Sequence, residues 1–158
     1  MSEGRVTATS SDTPAALLER YLYEQIPISA AMGVRAITAT PELVQLAAPL
    51  GPNVNHNETV FGGSAAALAT LAAWALLHLR IARMGIRARL VIQRSSMDYE
   101  RPIPGEFEAV CRFVDEVAWE RFRAMLVRRR RARLTLSAHL LYDAQRMAAF
   151  QGDFVAFL

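Results

Sequence analysis

The longest hydrophobic stretch of the chain covers residues 64–77, in which Ser64 and Thr70 are the only polar side chains. A helix that is apolar on every side has to be covered on every side, either by lipid or by other parts of the protein. A membrane span needs about 18 or more consecutive apolar residues, and His78 ends this stretch before that length is reached. We therefore expect a central helix over about residues 64–84 that is surrounded by a sheet.

The segments before this helix predict a tail, a helix and a hairpin. Residues 1–13 are polar and rich in small side chains, which is typical of a flexible terminus. A first helix is predicted over Pro14–Gln25, because apolar residues recur there at helical spacing and Thr13 can cap its start. Two β-like runs follow, residues 34–40 and Leu43–Ala48, and the proline turn between them favours a hairpin.

Beyond the central helix the hydrophobic period changes to two, which indicates β-strands. A long strand is predicted over residues 87–99. Alternation predicts one face with Ala88, Leu90, Ile92, Arg94 and Ser96. The opposite face then has Arg89, Val91, Gln93, Ser95 and Met97. Further strands are predicted over residues 107–114, Arg131–Tyr142 and 148–157, the last with a bulge near Gly152.

A second, shorter helix is predicted between two of these strands. Asp115 can cap it, and Trp119, Phe122 and Leu126 would form its apolar stripe. Strands joined by short connections favour antiparallel pairing. We therefore expect an α+β fold, an antiparallel sheet curled around one helix, and a single domain over residues 14–158.

Composition narrows the class of protein further. A single cysteine excludes a disulfide framework, which suits a reducing cytoplasm, and the N-terminus has no recognisable signal peptide. The net charge of +3 is modest although all 18 basic residues are arginine, so it does not indicate nucleic-acid binding. We expect no cofactor, no metal ion and no membrane association.

The loop that leads into the central helix is dense in hydrogen-bonding side chains, which are Asn53, Asn55, His56, Asn57 and Thr59. Asn55 or Asn57 could orient a water molecule, and His56 could act as a general base because the pKa of histidine lies near neutrality. Alternatively, the asparagines only satisfy the backbone of the turn and cap the helix. The loop is nevertheless where the sequence predicts chemistry.

Two adjacent glycines follow the loop. Gly62, Gly63 and Ser64 would present free backbone N–H groups at the positive end of the helix dipole. Such donors can stabilise the oxyanion that develops on a carbonyl under attack. The alternative is that the glycines only permit tight packing between loop, helix and sheet.

The block NHNETVFGGS, followed by ALATLAAW, resembles the thioesterase family that forms the C-terminal domain of YiiD-type proteins, and the resemblance extends over residues 14–158. It implies the hotdog fold and hydrolysis of acyl-CoA or acyl-carrier-protein thioesters. It also implies a homodimer or a dimer of dimers, with the site at a subunit interface near the start of the central helix.

The resemblance also assigns residues. Asn55 matches the loop asparagine that helps to position the attacking water in acyl-CoA hydrolases of the hotdog superfamily, whereas the position of their helix carboxylate falls on Thr70, which cannot be a base at neutral pH. The predicted catalytic residues are Asn55, His56, Gly63 and Thr70. The predicted substrate-binding residues are Asn53, Asn57, Thr59, Phe61, Gly62, Ser64, Arg94, Ser95 and Ser96.

Several alternatives stay open on the sequence alone. The missing helix carboxylate suggests a non-catalytic module that binds acyl thioesters, and His56 with Glu58 gives thin support for a dehydratase-type enzyme. The arginine run at residues 128–131 could bind the phosphates of CoA, or it could be a solvated helix end.

Overall fold

The computed structural model describes residues 13–158, so the predicted tail lies outside the described residues apart from Thr13. The elements in chain order are α1 Pro14–Gln25, α2 Ile28–Ala31, β1 Arg35–Ala39, β2 Leu43–Ala48, α3 Gly62–Arg83, β3 Arg89–Tyr99, β4 Phe107–Arg112, α4 Glu116–Arg129, β5 Arg131–Tyr142 and β6 Gln145–Phe157. α1 has the predicted boundaries, and the Thr13 hydroxyl accepts a hydrogen bond from Ala16 N at 3.1 Å.

The six strands form one antiparallel sheet in the order β1-β2-β4-β5-β6-β3. α3 contacts strands across the whole width of this sheet. An antiparallel sheet wrapped around a central helix is the hotdog fold, which confirms the predicted fold class. β3 lies at one edge, so its outer side has no strand partner within residues 13–158.

α3 supplies the centre of the core. It is long and apolar enough to cross a membrane by length and composition, but 61% of its most apolar 18-residue window is buried inside the protein. Its covered residues are Ala65, Leu68, Ala69, Leu71, Ala72, Ala73, Ala75, Leu76, Leu77, Arg80 and Ile81. Small alanines let the sheet approach closely, and Phe107 and Phe154 pack from the strands with no exposed surface. Each such aromatic contributes about 1.5–3 kcal/mol by its burial.

The later strands and α4 bury the side chains that the sequence predicts. β5 alternates strictly between exposed and buried residues, because one face packs towards α3 and the other faces solvent. Asp115 caps α4 by accepting a hydrogen bond from Ala118 N at 2.9 Å. The predicted stripe of α4 is buried, and its members are Trp119, Phe122 and Leu126.

The last strand begins earlier than predicted, at Gln145. Asp143 and Ala144 have φ angles of 50° and 60°, which make the tight turn between β5 and β6. An alanine with positive φ carries a steric cost, so the sequence gives no signal for this turn. The bulge predicted near Gly152 is wrong, because Gly152 pairs in register with Leu136 and Ser95.

The irregularity lies instead in the edge strand. Ile92 stands opposite Phe154 and Arg94 opposite Asp153, so Gln93 is an extra residue in β3. Because cross-strand partners share a face, a one-residue bulge exchanges the faces of everything after it. The predicted assignment of faces is therefore wrong beyond Ile92, and Arg94 lies on the outer face of the sheet.

Candidate active site

The loop before α3 is fastened by a buried asparagine. Asn53 is 2% exposed, and its Nδ2 donates hydrogen bonds to Met32 O and Pro49 O, each at 2.8 Å. Its backbone carbonyl accepts a hydrogen bond from Phe61 N at 2.7 Å, which ties the two ends of the loop together. Asn53 thus holds the loop in place and does not face the space in front of the helix.

Asn55 organises the turn inside this loop. Its Oδ1 accepts hydrogen bonds from Asn57 N at 2.8 Å and Thr59 N at 3.1 Å, and its Nδ2 donates to Thr59 Oγ1 at 2.9 Å. Glu58 takes a φ of 60° within the turn, and the flanking Val54 and Val60 form an isolated β-bridge. The carboxamide of Asn55 is therefore engaged with the loop itself.

The tip of the loop is exposed to solvent. His56, Asn57 and Glu58 all lie on it. The imidazole of His56 has no hydrogen-bond or ion-pair partner in the part of the chain that the structure describes. It is therefore free to contact a ligand, but nothing in residues 13–158 orients it.

The start of α3 presents unpaired donors. Phe61 is the N-cap residue and gives no side-chain cap, and the first helical hydrogen bond runs from Ala65 N to Phe61 O at 3.0 Å. The backbone N–H groups of Gly62, Gly63 and Ser64 consequently have no partner among the described residues. Together with the helix dipole they form a site suited to an anion or an oxyanion.

A cavity of about 290 Å³ opens beside this helix start. Its lining residues are Thr59, Val60, Gly62, Ala65, Tyr99, Glu100, Arg101, Pro102, Ile103 and Ala148. The structure thus joins Thr59 of the predicted loop and Gly62 of the glycine pair with residues 99–103 at the end of β3, whereas Asn55, His56 and Gly63 do not line the cavity. The sequence does not predict that the segment 99–103 belongs to the site, because nothing in its residue types shows that it lies against the start of α3.

Tyr99 is the main addition from that segment. It is the last residue of β3, and its phenol donates a hydrogen bond to Gly62 O at 3.1 Å. Its ring is 58% exposed, so the hydroxyl lies over the helix start and remains open to solvent. An aromatic residue at the end of a strand is common, which is why the pattern alone did not single it out.

Glu100 is the acidic residue of the cavity lining. Arg146 Nε donates to Glu100 Oε1 at 3.1 Å and to Oε2 at 3.2 Å. The hydrogen bonds from Arg146 lower the pKa of Glu100, so the carboxylate stays ionised near neutral pH. Arg146 also approaches His139 Nε2 at 3.4 Å, so it links Glu100 to a side chain of β5.

Thr70 lies apart from these groups. Its Oγ1 donates to Ala66 O at 2.8 Å, the usual bond of a threonine inside a helix. It follows Gly63 by about two turns, which is a separation of roughly 10 Å along the helix axis. Thr70 and the glycine N–H groups of the same chain therefore cannot contact the same atom of a bound ligand.

The three predicted contacts on β3 are divided between the two faces of the sheet. Arg94 pairs across the sheet with Asp153 and Ser96 with Gln151, on the outer face, whereas Ser95 pairs with Gly152 on the inner face. The structure does not bring Arg94 and Ser96 together with the loop. Residues 13–158 also contain no cluster of three or more His, Cys, Asp or Glu side chains placed to hold a metal ion.

The family described as "Putative thioesterase (yiiD_Cterm)" matches residues 15–158 of the chain. The chain belongs to this family. The match includes the loop, the glycine pair, α3 and the 99–103 segment, so every residue of the cavity described above lies inside it.

Solved structures that resemble this family member share its fold. A protein of unknown function from Chlorobaculum tepidum is 28% identical with a TM-score of 0.86, and the match covers 94% of this chain and 99% of that one. A "putative thioesterase" from Shewanella oneidensis is 26% identical with a TM-score of 0.81, covering 91% and 97%. A "Probable Thioesterase" from Pseudomonas aeruginosa, at 22% identity and a TM-score of 0.77, covers 92% and 96% and shows the common fold.

Proposed function

We propose that this YiiD C-terminal-type protein is an acyl thioesterase that hydrolyses acyl-CoA or acyl-carrier-protein thioesters at the start of α3. One observation carries the proposal. The N–H groups of Gly62, Gly63 and Ser64 have no partner among the described residues, and Gly62 lines a cavity of about 290 Å³. Family membership supplies the reaction class, and the donors supply a place for the reacting carbonyl.

In this mechanism the thioester carbonyl oxygen accepts hydrogen bonds from the helix start. Water adds to the carbonyl carbon and transfers a proton to a base, and negative charge builds on the oxygen. Donors fixed in advance stabilise that charge, and removing one of them typically slows such reactions by about 10²–10³. The C–S bond then breaks, and the thiolate takes up the proton to give a free thiol and a carboxylic acid.

The loop supplies the water and the base in this scheme. Asn55 contributes by holding the turn, since its carboxamide bonds to Asn57 and Thr59. His56 is the loop residue whose side chain is free to accept a proton from water. The ionised carboxylate of Glu100 lines the cavity beside Gly62.

Tyr99 completes the group of donors. Its hydroxyl, 3.1 Å from Gly62 O, needs only a rotation about the C–O bond to donate to an oxyanion or to the departing sulfur. We therefore assign Tyr99 to the site beside the glycines.

A second copy of the chain would complete the site. β3 is an edge strand of 11 residues, and Val91 and Ile92 on it are 49% and 38% exposed. Such an edge is a template for pairing with another strand. Thr70 would then act from the second copy, because it is too far from the helix start of its own chain. A homodimer, acting in the cytoplasm, is part of the proposal.

The second candidate function is binding of an acyl thioester without hydrolysis. The specific observation in its favour is that Thr70 stands where acyl-CoA hydrolases of the hotdog superfamily have a helix carboxylate, and that its hydroxyl donates a hydrogen bond to Ala66 O. The two functions are separated by one assay. Purified protein is incubated with acyl-CoAs of several chain lengths while released thiol is recorded, and binding is measured in parallel. Hydrolysis of any member supports the thioesterase, and binding without thiol release supports the module.

A further inference from the structure

Three arginines converge on a surface cleft that the proposed hydrolysis does not use. Arg129, Arg131 and Arg133 line a depression of about 440 Å³, together with Gln93, Met125, Ala132 and Val155. We call this depression the arginine cleft. Its lining contains no acidic residue, so the cleft carries a concentrated positive charge.

The local backbone explains why these arginines meet. α4 ends at Arg129, and Arg130 adopts a left-handed conformation with a φ of 58°, which turns the chain directly into β5. Arg131 and Arg133 then project from the same face of the strand, whereas Ala132 between them is buried. The arginine run of the sequence, residues 128–131, is thus resolved into a cleft formed by residues 129, 131 and 133.

The charges of the cleft are not neutralised by the protein. Within residues 13–158, none of its arginines forms a salt bridge, and the arginines that do are Arg35, Arg80, Arg83, Arg123 and Arg146. Arg131 contacts the face of Phe157, with 5.1 Å from its guanidinium carbon to the ring centroid. Three like charges around one depression repel one another, and a bound dianion would offset this repulsion by attracting all three guanidinium groups.

The remaining lining residues indicate the kind of anion. Guanidinium groups match phosphate oxygens by paired hydrogen bonds, and the Gln93 amide can add a further donor from the bulge of β3. Met125 and Val155 give the cleft an apolar floor. A phosphate joined to an organic group would contact both kinds of surface.

We infer that the arginine cleft binds the phosphate groups of a small organic ligand. Gln93 and Tyr99 are six residues apart on β3, which corresponds to roughly 20 Å along the strand, so the cleft is remote from the helix start. Phosphates held there do not take part in bond breaking. They belong either to a non-reacting part of the substrate or to a separate phosphorylated molecule.

The inference is tested by calorimetric binding at low salt, without any hydrolysis readout. The probes are adenosine 3′,5′-bisphosphate, inorganic phosphate and pantetheine, which lacks phosphate. We expect the bisphosphate to bind, and Arg131→Gln and Arg133→Gln each to weaken it about tenfold, the value of one lost charged hydrogen bond. Arg128→Gln is the matched control, because Arg128 precedes Arg129 on α4 but does not line the cleft. This variant should leave the affinity within about twofold of the wild type.

The outcomes separate the sources of the phosphate. Tighter binding of the bisphosphate than of inorganic phosphate supports a ligand whose phosphates are joined to an organic group, and equal binding of the two contradicts it. The inference is overturned if no phosphate probe binds, if Arg128→Gln weakens binding as much as the cleft variants, or if affinity requires a long oligonucleotide. Because this experiment does not measure thiol release, its result neither supports nor contradicts the proposed hydrolysis, which is tested by the acyl-CoA assay.

Discussion

At the scale of single residues, Gly62 and Gly63 have different surroundings. A Cβ at residue 63 would lie 2.4 Å from Phe61 Cε1, whereas a Cβ at residue 62 would lie 3.5 Å from Tyr99 Cε1, an ordinary contact. We expect Gly63→Ala to displace the Phe61 ring from the helix start and to lower kcat/KM by about tenfold.

The stability of this variant should change little. Phe61 is 57% exposed and can turn towards solvent, so the free energy of unfolding should shift by under about 1 kcal/mol. Gly62→Ala is the matched control and should retain activity. Equal loss of activity in both alanine variants would contradict the different roles of the two glycines.

The phenol of Tyr99 allows a single-atom test. Tyr99→Phe keeps the ring against Gly62 and removes the hydroxyl that donates to Gly62 O. We expect kcat to fall by about 3–10-fold with little change in KM, because the hydroxyl is assigned to the transition state. Tyr21→Phe, which alters an exposed phenol away from the cavity, should have wild-type kinetics. Unchanged kcat in Tyr99→Phe would remove Tyr99 from the mechanism.

Asn55 gives a prediction about dynamics. Its Oδ1 holds the N–H groups of Asn57 and Thr59, so Asn55→Ala should release the turn without unfolding the sheet. Amide hydrogen exchange at those two residues should accelerate by about tenfold or more, while exchange in β5 stays unchanged. Exchange at wild-type rates would show that the backbone alone holds the turn.

The sequence indicates where the site lies better than what each residue does. The polar residues and glycines predict the location, because they interrupt an apolar pattern over a few neighbouring positions. Asn53 illustrates the limit, since its partner Met32 lies 21 residues earlier and comes close only through packing. Tyr99 illustrates it again, because its contact with Gly62 spans 37 residues.

At the scale of elements, local signals predict boundaries well. α1 and β5 have their predicted ends, since a cap marks the first and strict alternation marks the second. β3 differs because it is an edge strand, exposed on both faces, and its bulge at Gln93 has no signature in residue type. One inserted residue was enough to move Arg94 and Ser96 to the outer face.

An aromatic stack connects α1 to α3 and makes this contact sensitive to pH. The ring of His78 stacks against both Tyr21 and Trp74, at 4.8 Å between centroids in each pair, and Tyr21 and Trp74 lie 6.0 Å from each other. Burial lowers the pKa of His78 below its ordinary value of 6.5. The folded chain therefore binds fewer protons than the unfolded chain once the pH falls below 6.5.

The free energy of unfolding should accordingly fall as the pH drops from 6.5 through the lowered pKa of folded His78. His78→Phe keeps an aromatic ring in the stack and removes the proton. Denaturant unfolding from pH 8 to pH 5 should show a shallower decline for this variant than for the wild type. Parallel curves would mean that His78 does not contribute to the pH dependence.

At the scale of the whole molecule, the unpaired edge of β3 predicts self-association. We expect the wild type to sediment as a dimer, and Val91→Lys to shift it towards monomer, because a charge on an edge strand disfavours pairing. Val117→Lys is the control, since Val117 is 63% exposed on α4. A dimer that resists Val91→Lys but not Val117→Lys would place the interface elsewhere.

The architecture follows from one requirement, which is to cover an apolar helix with a sheet. That requirement is visible in the sequence, so the antiparallel sheet around a central helix could be predicted. The strand order could not be derived in the same way, because β3 leaves the helix and pairs with β6, the last strand of the chain. The site depends on this pairing, since it sets where β3 ends and where Tyr99 meets the helix.

The most direct test of the account is to delete one backbone donor at the helix start. Gly62→Pro removes the Gly62 N–H, and proline suits this place because Phe61, with φ −59° and ψ 132°, has the extended conformation that precedes proline. Gly62→Ala keeps the N–H and serves as the reference. We predict that kcat for acyl-thioester hydrolysis is lower in Gly62→Pro by about 10²–10³, with both variants folded. Equal rates in the two variants would contradict the assignment of the carbonyl to the start of α3.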